Sequence, residues 1–166
     1  VLCERYIYRI DNFFANDGTG SMILRRIDDK AGCVNAQSIV QTHVGLFWAG
    51  EHNFYWSDGF RVVSISDHLN KSYKNFVLSD TRRSRISGTF DPANQRLFWT
   101  IAGNSTEGDM VLTVDLRQPF LPDANRRGAT FLTMGGNADT NFSATQVLAN
   151  GNYLYRGDHR GYLLRH

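Results

Sequence analysis

The chain has 166 residues, enough for one ordinary domain with a sizeable core. Its 18 Lys and Arg against 16 Asp and Glu leave a formal charge of +2, too small to point by itself to nucleic acid, a membrane surface or an acidic substrate. No apolar run reaches the length of a membrane span, and Cys3 and Cys33 form neither a disulfide framework nor a zinc pattern, which leaves free thiols or one bond between them.

Residues 4–28 read as a hairpin. Arg5–Ile10 and Met22–Ile27 flank Asn16-Asp17-Gly18-Thr19-Gly20, whose glycines suit a tight turn. The Gly-Thr-Gly run leads into a strand rather than a helix, so it reads as a turn and not a phosphate cradle. Residues 38–66 hold four short runs rich in aromatic and β-branched residues: Ser38–Thr42, Leu46–Trp48, Phe54–Trp56 and Arg61–Ile65. Val44-Gly45, Gly50–Asn53 and Ser57-Asp58-Gly59 separate them, and Asp58-Gly59 is a strong hairpin signal. At Ser66 the pattern changes. Leu69, Tyr73 and Phe76 recur at helical intervals behind Ser66 as a cap, which predicts a short helix near 67–76.

Arg82, Arg83 and Arg85 follow as a basic stretch, read as a solvated loop or as a contact with phosphate or an acidic neighbouring subunit. Ile86–Phe90, Leu97–Ile101, Met110–Leu116 and Phe131–Met134 make a further unit, with a turn at Asp91-Pro92-Ala93-Asn94 and an irregular connection over 117–129. Ala144–Leu148, Tyr153–Tyr155 and Gly161–Leu164 close the chain, on turns at 149–152 and 157–160.

These runs repeat. An aromatic-rich run followed by an aliphatic one occurs at Ile7, Tyr55, Phe98 and Leu154, spaced 48, 43 and 56 residues apart. Short strands at a period of about 40–50 residues predict an all-β fold of the β-propeller kind. The blade-like units fall at about 4–28, 38–66, 86–134 and 144–166, all within one domain. Leu46-Phe47-Trp48 also resembles Leu97-Phe98-Trp99 at a spacing of 51, so the register between the second and third units stays open. A large sandwich is the competing architecture. Three to four blades, some of them incomplete, fall short of a closed propeller, which needs about four to eight, so the expectation is an interior piece of a longer protein.

The catalytic inventory is thin. His43, His52, His68, His159 and His166 have no metal-ligand spacing, and there is no Gly-x-Ser-x-Gly elbow and no Asp-rich calcium loop. The expectation is therefore a protein that is not an enzyme, with no cofactor and no metal. Arg156-Gly157-Asp158 matches the cell-adhesion tripeptide but reads as a turn, and the glycosylation sequons at Asn70, Asn104 and Asn141 are no more numerous than chance allows. The aromatic stripe (Phe47, Trp48, Tyr55, Trp56, Phe98, Trp99) reads as packing between blades rather than a stacking platform for sugars or bases.

The stretch Gly45–Gly59, with Leu69–Tyr73, Arg85–Pro92, Arg96–Thr100 and Tyr155–Tyr162, resembles the nozzle or head-closure stabilisation proteins of short-tailed bacteriophages. That resemblance covers roughly 36–166. It implies a β-propeller in a structural virion protein, assembled as a ring of six that extends the DNA channel and helps retain the genome. Its partners would be further copies of itself, the portal and adaptor, other tail proteins and DNA in the channel, with no membrane. Arg82, Arg83, Arg85, Arg126 and Arg127 are then the candidates for subunit or DNA-phosphate contacts. Phe54-Tyr55-Trp56-Ser57-Asp58 is also similar to the Tyr-Trp-Thr-Asp repeat of receptor propellers, although Leu97–Ile101 and Tyr153–Gly157 lack the Asp. The alternative is thus an extracellular propeller binding a protein or glycan.

Overall fold

The computed structural model describes residues 1–11, 22–28, 30–67, 79–102, 110–117, 129–133, 142–147, 154–158 and 163–165. They are mostly β-structure in antiparallel pairs. The first sheet pairs β1 (Ile7–Asp11) with β2 (Ile23–Asp28), and residues 1–3 bridge the other edge of β1 through Leu2 and Ile7. The second is a four-stranded meander of β3 (Val40–Thr42), β4 (Gly45–Ala49), β5 (Phe54–Ser57) and β6 (Val62–Ser64). The third repeats that plan with β7 (Ser87–Asp91), β8 (Arg96–Ile101), β9 (Met110–Asp115) and β10 (Ala129–Thr133). The fourth joins β11 (Phe142–Val147), β12 (Leu154–Asp158) and β13 (Leu163–Arg165). Every sheet is built from strands consecutive in sequence.

The turns form as their residues dictate. Asp58 Oδ1 accepts from the backbone N–H of Phe60 and Arg61, at 2.9 and 3.0 Å, and so bends β5 into β6. Asp91 does the same for Ala93 and Asn94 between β7 and β8. Gly45 sits at φ +136°, and a Cβ there would lie 2.4 Å from the Ser57 carbonyl oxygen, so the start of β4 admits only glycine.

The sheets stack face to face. Phe47, Ala49, Phe54 and Trp56 of the second sheet meet Leu97, Trp99, Ile101 and Leu112 of the third in one buried core. The opposite face of the second sheet, with Trp48 fully buried, packs on Ile7, Ala31 and Ile27 of the first sheet and its connector. The first strands also follow one another in space: β7 lies beside β3, and β11 lies beside β7. Gly88 permits the close approach of β7 to β3, because a Cβ there would fall 2.5 Å from both Trp99 Nε1 and Val40 Cγ2.

Each tryptophan indole donates to a backbone carbonyl. Trp48 reaches Ala31 at 2.9 Å, Trp56 reaches Val44 at 3.0 Å and Trp99 reaches Ser38 at 2.8 Å. Trp48 and Trp99 correspond in strand position: both lie on the second strand of a sheet and point back toward the preceding unit, and both of their acceptors lie on the one connector between the first and second sheets. This settles the register. Leu46-Phe47-Trp48 corresponds to Leu97-Phe98-Trp99, and Phe54-Tyr55-Trp56 belongs to a third strand instead. The turns give the other correspondence. Cys3–Tyr6 closes by a Cys3 N–H to Tyr6 O bond of 2.9 Å, and Gly50–Asn53 by a Gly50 N–H to Asn53 O bond of 2.8 Å. Ile7 thus matches Phe54, not Tyr55. The difference is one residue, but one residue exchanges the two faces of a strand.

Other expectations need correction. Ser66 is fully buried and its hydroxyl accepts from Phe54 N–H at 2.8 Å, so it ties the end of the second sheet to β5. The helix expected near 67–76 lies outside the described residues beyond Asp67. The stretch Arg82–Arg85, read as a loop, begins within a short helix α1 (Asp80–Arg83) capped by Ser79. Arg156-Gly157-Asp158, read as a turn, lies on β12, where Arg156 and Gly157 are paired on both sides, to β11 and to β13.

Three aspartates carry lowered carboxyl pKa values. Arg9 holds Asp11 down, the backbone N–H groups of Phe60 and Arg61 hold Asp58 down, and Arg117 takes Asp115 from 3.8 to about 2. A carboxyl that is more acidic when folded stabilises the fold in full above its unfolded value, and that contribution is lost as pH falls through the folded value. Stability should therefore hold down to a pH near 3.8 and decline toward about 2. A carboxyl-carbon NMR titration should place Asp115 near 2, and Arg117→Ala should move it back toward 3.8.

Candidate functional site

The turns that carry the repeat also frame a cleft of about 530 Å³, lined by residues that include Glu4, Arg5, Cys33, Glu51, Asp80 and Arg83. Its walls come from successive units. Glu4 and Glu51 occupy the same position in the equivalent turns Cys3–Tyr6 and Gly50–Asn53. Between them runs the connector from the first sheet to the second. Cys33 N–H bonds Cys3 O at 2.8 Å and Val34 N–H bonds Ala49 O at 3.0 Å, so adjacent residues of one segment stitch two sheets together.

Asn35 continues the stitching toward the third sheet. Its side-chain nitrogen donates to the carbonyls of Ser84 and Ile86, at 2.7 and 2.8 Å, and its oxygen accepts from Gln37 N–H at 3.0 Å to start the 3₁₀ turn Ala36–Ser38. One side chain thereby fixes the approach to β3 against the approach to β7.

Of the basic residues singled out in the sequence, Arg82 and Arg83 lie on α1 and Arg85 just beyond it; Arg82 and Arg83 are half-buried and Arg85 is exposed. Arg83 is engaged within the chain: its guanidinium lies 3.4 Å from Glu51 Oε1 and 3.7 Å from Asp80 Oδ1. The pair joins the α1 connector to the turn between β4 and β5. Arg126 and Arg127 lie outside the described residues. The fold thus brings Arg82, Arg83 and Arg85 onto one short segment beside the cleft.

A second cluster, not singled out from the sequence, lies where β1 and β2 meet the turn between β5 and β6. Arg9 makes a bidentate pair with Asp11, at 2.7 and 3.1 Å, lies 4.6 Å from the centre of the Phe60 ring and reaches Gly59 O at 3.4 Å. Arg25 adds a second contact to Asp11 at 3.1 Å, and Arg61 lies 5.4 Å from the Trp56 ring centre. The alternation of Arg9 with Asp11 along β1 was the available signal, but its partners lie about fifty residues away.

The first cluster joins units through charge, and the second through charge and planar stacking. Burial pushes the Cys33 thiol up from its usual value, and its sulfur donates to Asn35 O at 3.2 Å, so it is held as a neutral packing group. Among the described residues, no group of three or more His, Cys, Asp or Glu is placed to hold a metal ion, and no helix is long and apolar enough to cross a membrane. No protein-family model and no curated protein sequence matches the chain.

Asn35 offers the sharpest test of the stitching. Asn35→Ala leaves the Ser84 and Ile86 carbonyls without their donor and should lower stability by roughly 1–3 kcal/mol, read as a fall in the urea midpoint with the slope unchanged.

Proposed function

We propose that this chain is a run of β-propeller blades in a structural, ring-forming protein, and that the ring is the tail nozzle of a short-tailed bacteriophage. The observation that carries the propeller reading is the stacking of sheets in chain order with their first strands, β3, β7 and β11, side by side. Meanders stacked in this way radiate from a common axis, with first strands innermost and last strands at the rim. The nozzle reading adds the resemblance carried by Gly45–Gly59, Arg85–Pro92, Arg96–Thr100 and Tyr155–Tyr162.

In this reading the protein works by rigidity. The second sheet is covered on both faces at its centre, so its position is fixed by its neighbours, and a wall of such sheets keeps its shape under the pressure of packaged DNA. Arg83, paired to Glu51, serves the wall itself. Arg82 and Arg85, with Arg126 and Arg127, would meet a neighbouring subunit or the phosphates of DNA in the channel. The homo-oligomer would be a hexamer seated below the portal and adaptor, in the virion.

Electron microscopy of the native assembly tests this directly. The nozzle reading expects a six-fold ring joined to a portal-like neighbour. A monomeric disc carrying glycans at Asn70, Asn104 or Asn141 would reject it in favour of an extracellular receptor-type propeller.

A further inference from the structure

The joint between the third and fourth sheets differs in kind from the two before it. The second sheet already covers one face of the third, at Leu97, Trp99, Ile101 and Leu112. The strand β11, which lies against β7 and β8, therefore sits on the other face. Strand alternation and pairing assign that face. Ser87, Thr100 and Val111 form one row across β7, β8 and β9, and Thr89, Phe98 and Thr113 form the next.

Four of those six side chains end in a hydroxyl, yet Thr89, Thr100 and Thr113 are buried. The Ser87 and Thr100 hydroxyls satisfy each other at 2.7 Å. Thr113 is only 8% exposed, and among the described residues its Oγ1 is the buried side-chain atom left without a hydrogen bond. A hydroxyl held in that state costs the fold the bonds it made with water. The earlier joints are built otherwise. Trp48 lies between the first and second sheets and Trp99 between the second and third, each indole bonded to a connector carbonyl. The third tryptophan of the chain, Trp56, bonds Val44 O in the turn of its own sheet, and residues 142–165 contain none.

We propose that this hydroxyl-faced joint is an opening point built into the stack, at which the fourth sheet separates and re-docks while the first three stay packed. Strands of three to six residues that leave the surface they pack on do not hold together, so β11–β13 unfold as they part from the third sheet. Opening wets the Thr113 hydroxyl and relieves its cost. Trp99 faces the other way and keeps its place in the core. The proposal goes beyond the ring-forming reading and does not rest on it, because the joint follows from the third sheet itself.

Native-state hydrogen exchange of the whole chain, followed by NMR, reads this opening. The β11–β13 amides should be protected but exchange together, about tenfold or more faster than those of β4 and β8, and without release of the Trp99 indole proton. Thr113→Val removes the unpartnered hydroxyl at nearly constant shape and should slow β11–β13 exchange about tenfold. Thr113→Ser keeps the hydroxyl and should not slow it. Exchange of β11–β13 in step with β4 and β8 would overturn the proposal, as would β11–β13 amides with no protection at all, since a joint must close as well as open. A Thr113→Val chain whose β11–β13 exchange is unchanged or faster would overturn it too, and so would a Thr113→Ser chain slowed as much as Thr113→Val.

Discussion

Both faces of the second sheet are covered at its centre, and the rest of the structure depends on that. Phe47 and Phe54 point one way, Trp48 and Tyr55 the other, and the first three are wholly buried. A sheet of three- to five-residue strands cannot stand alone. It exists because the first sheet and its connector cover one face and the third sheet covers the other. Burial of large aromatic side chains on both sides supplies most of the driving force, and the connectors decide which partner each face receives.

Polar groups set the geometry of that stacking. An indole N–H buried without a partner would be costly, so Trp48 and Trp99 fix their sheets where a connector carbonyl can accept from them. Cys33, Val34 and Asn35 form three successive ties, to the first, second and third units in turn. The surface pairs, Arg83 with Glu51 and Arg9 with Asp11, are partly solvated and contribute little individually. Arg83 holds the α1 connector against the turn after β4, and Asp11 holds Arg9 where it reaches Gly59 and Phe60 of the second sheet.

Much of this was legible in the sequence. Asp58-Gly59 and Asp91–Asn94 act on their own neighbours, so local chemistry located those turns, and the aromatic and β-branched runs located the strands between them. Register was not legible. Leu46-Phe47-Trp48 and Phe54-Tyr55-Trp56 are both aromatic runs ending in Trp, and only the hydrogen-bonded partners show that the first of them matches Leu97-Phe98-Trp99. Pairing Ile7 with Tyr55 rather than Phe54 inverts which face of the first sheet is covered. The candidate site was legible only in part: Arg82, Arg83 and Arg85 announce themselves as a charge run. Glu51 as the partner of Arg83, and Asn35 as a tie to Ser84 and Ile86, depend on how connectors lie across turns. No local pattern encodes that.

The central claim is that the first three sheets are locked together by buried tryptophans in corresponding strand positions. Amide-type exchange of the indole N–H protons, followed by NMR, tests it most directly. The account predicts that the Trp48 and Trp99 indoles exchange together, and only through the opening that exposes the whole core. Exchange of either one at near the free-indole rate, while the β-strand amides remain protected, would contradict it.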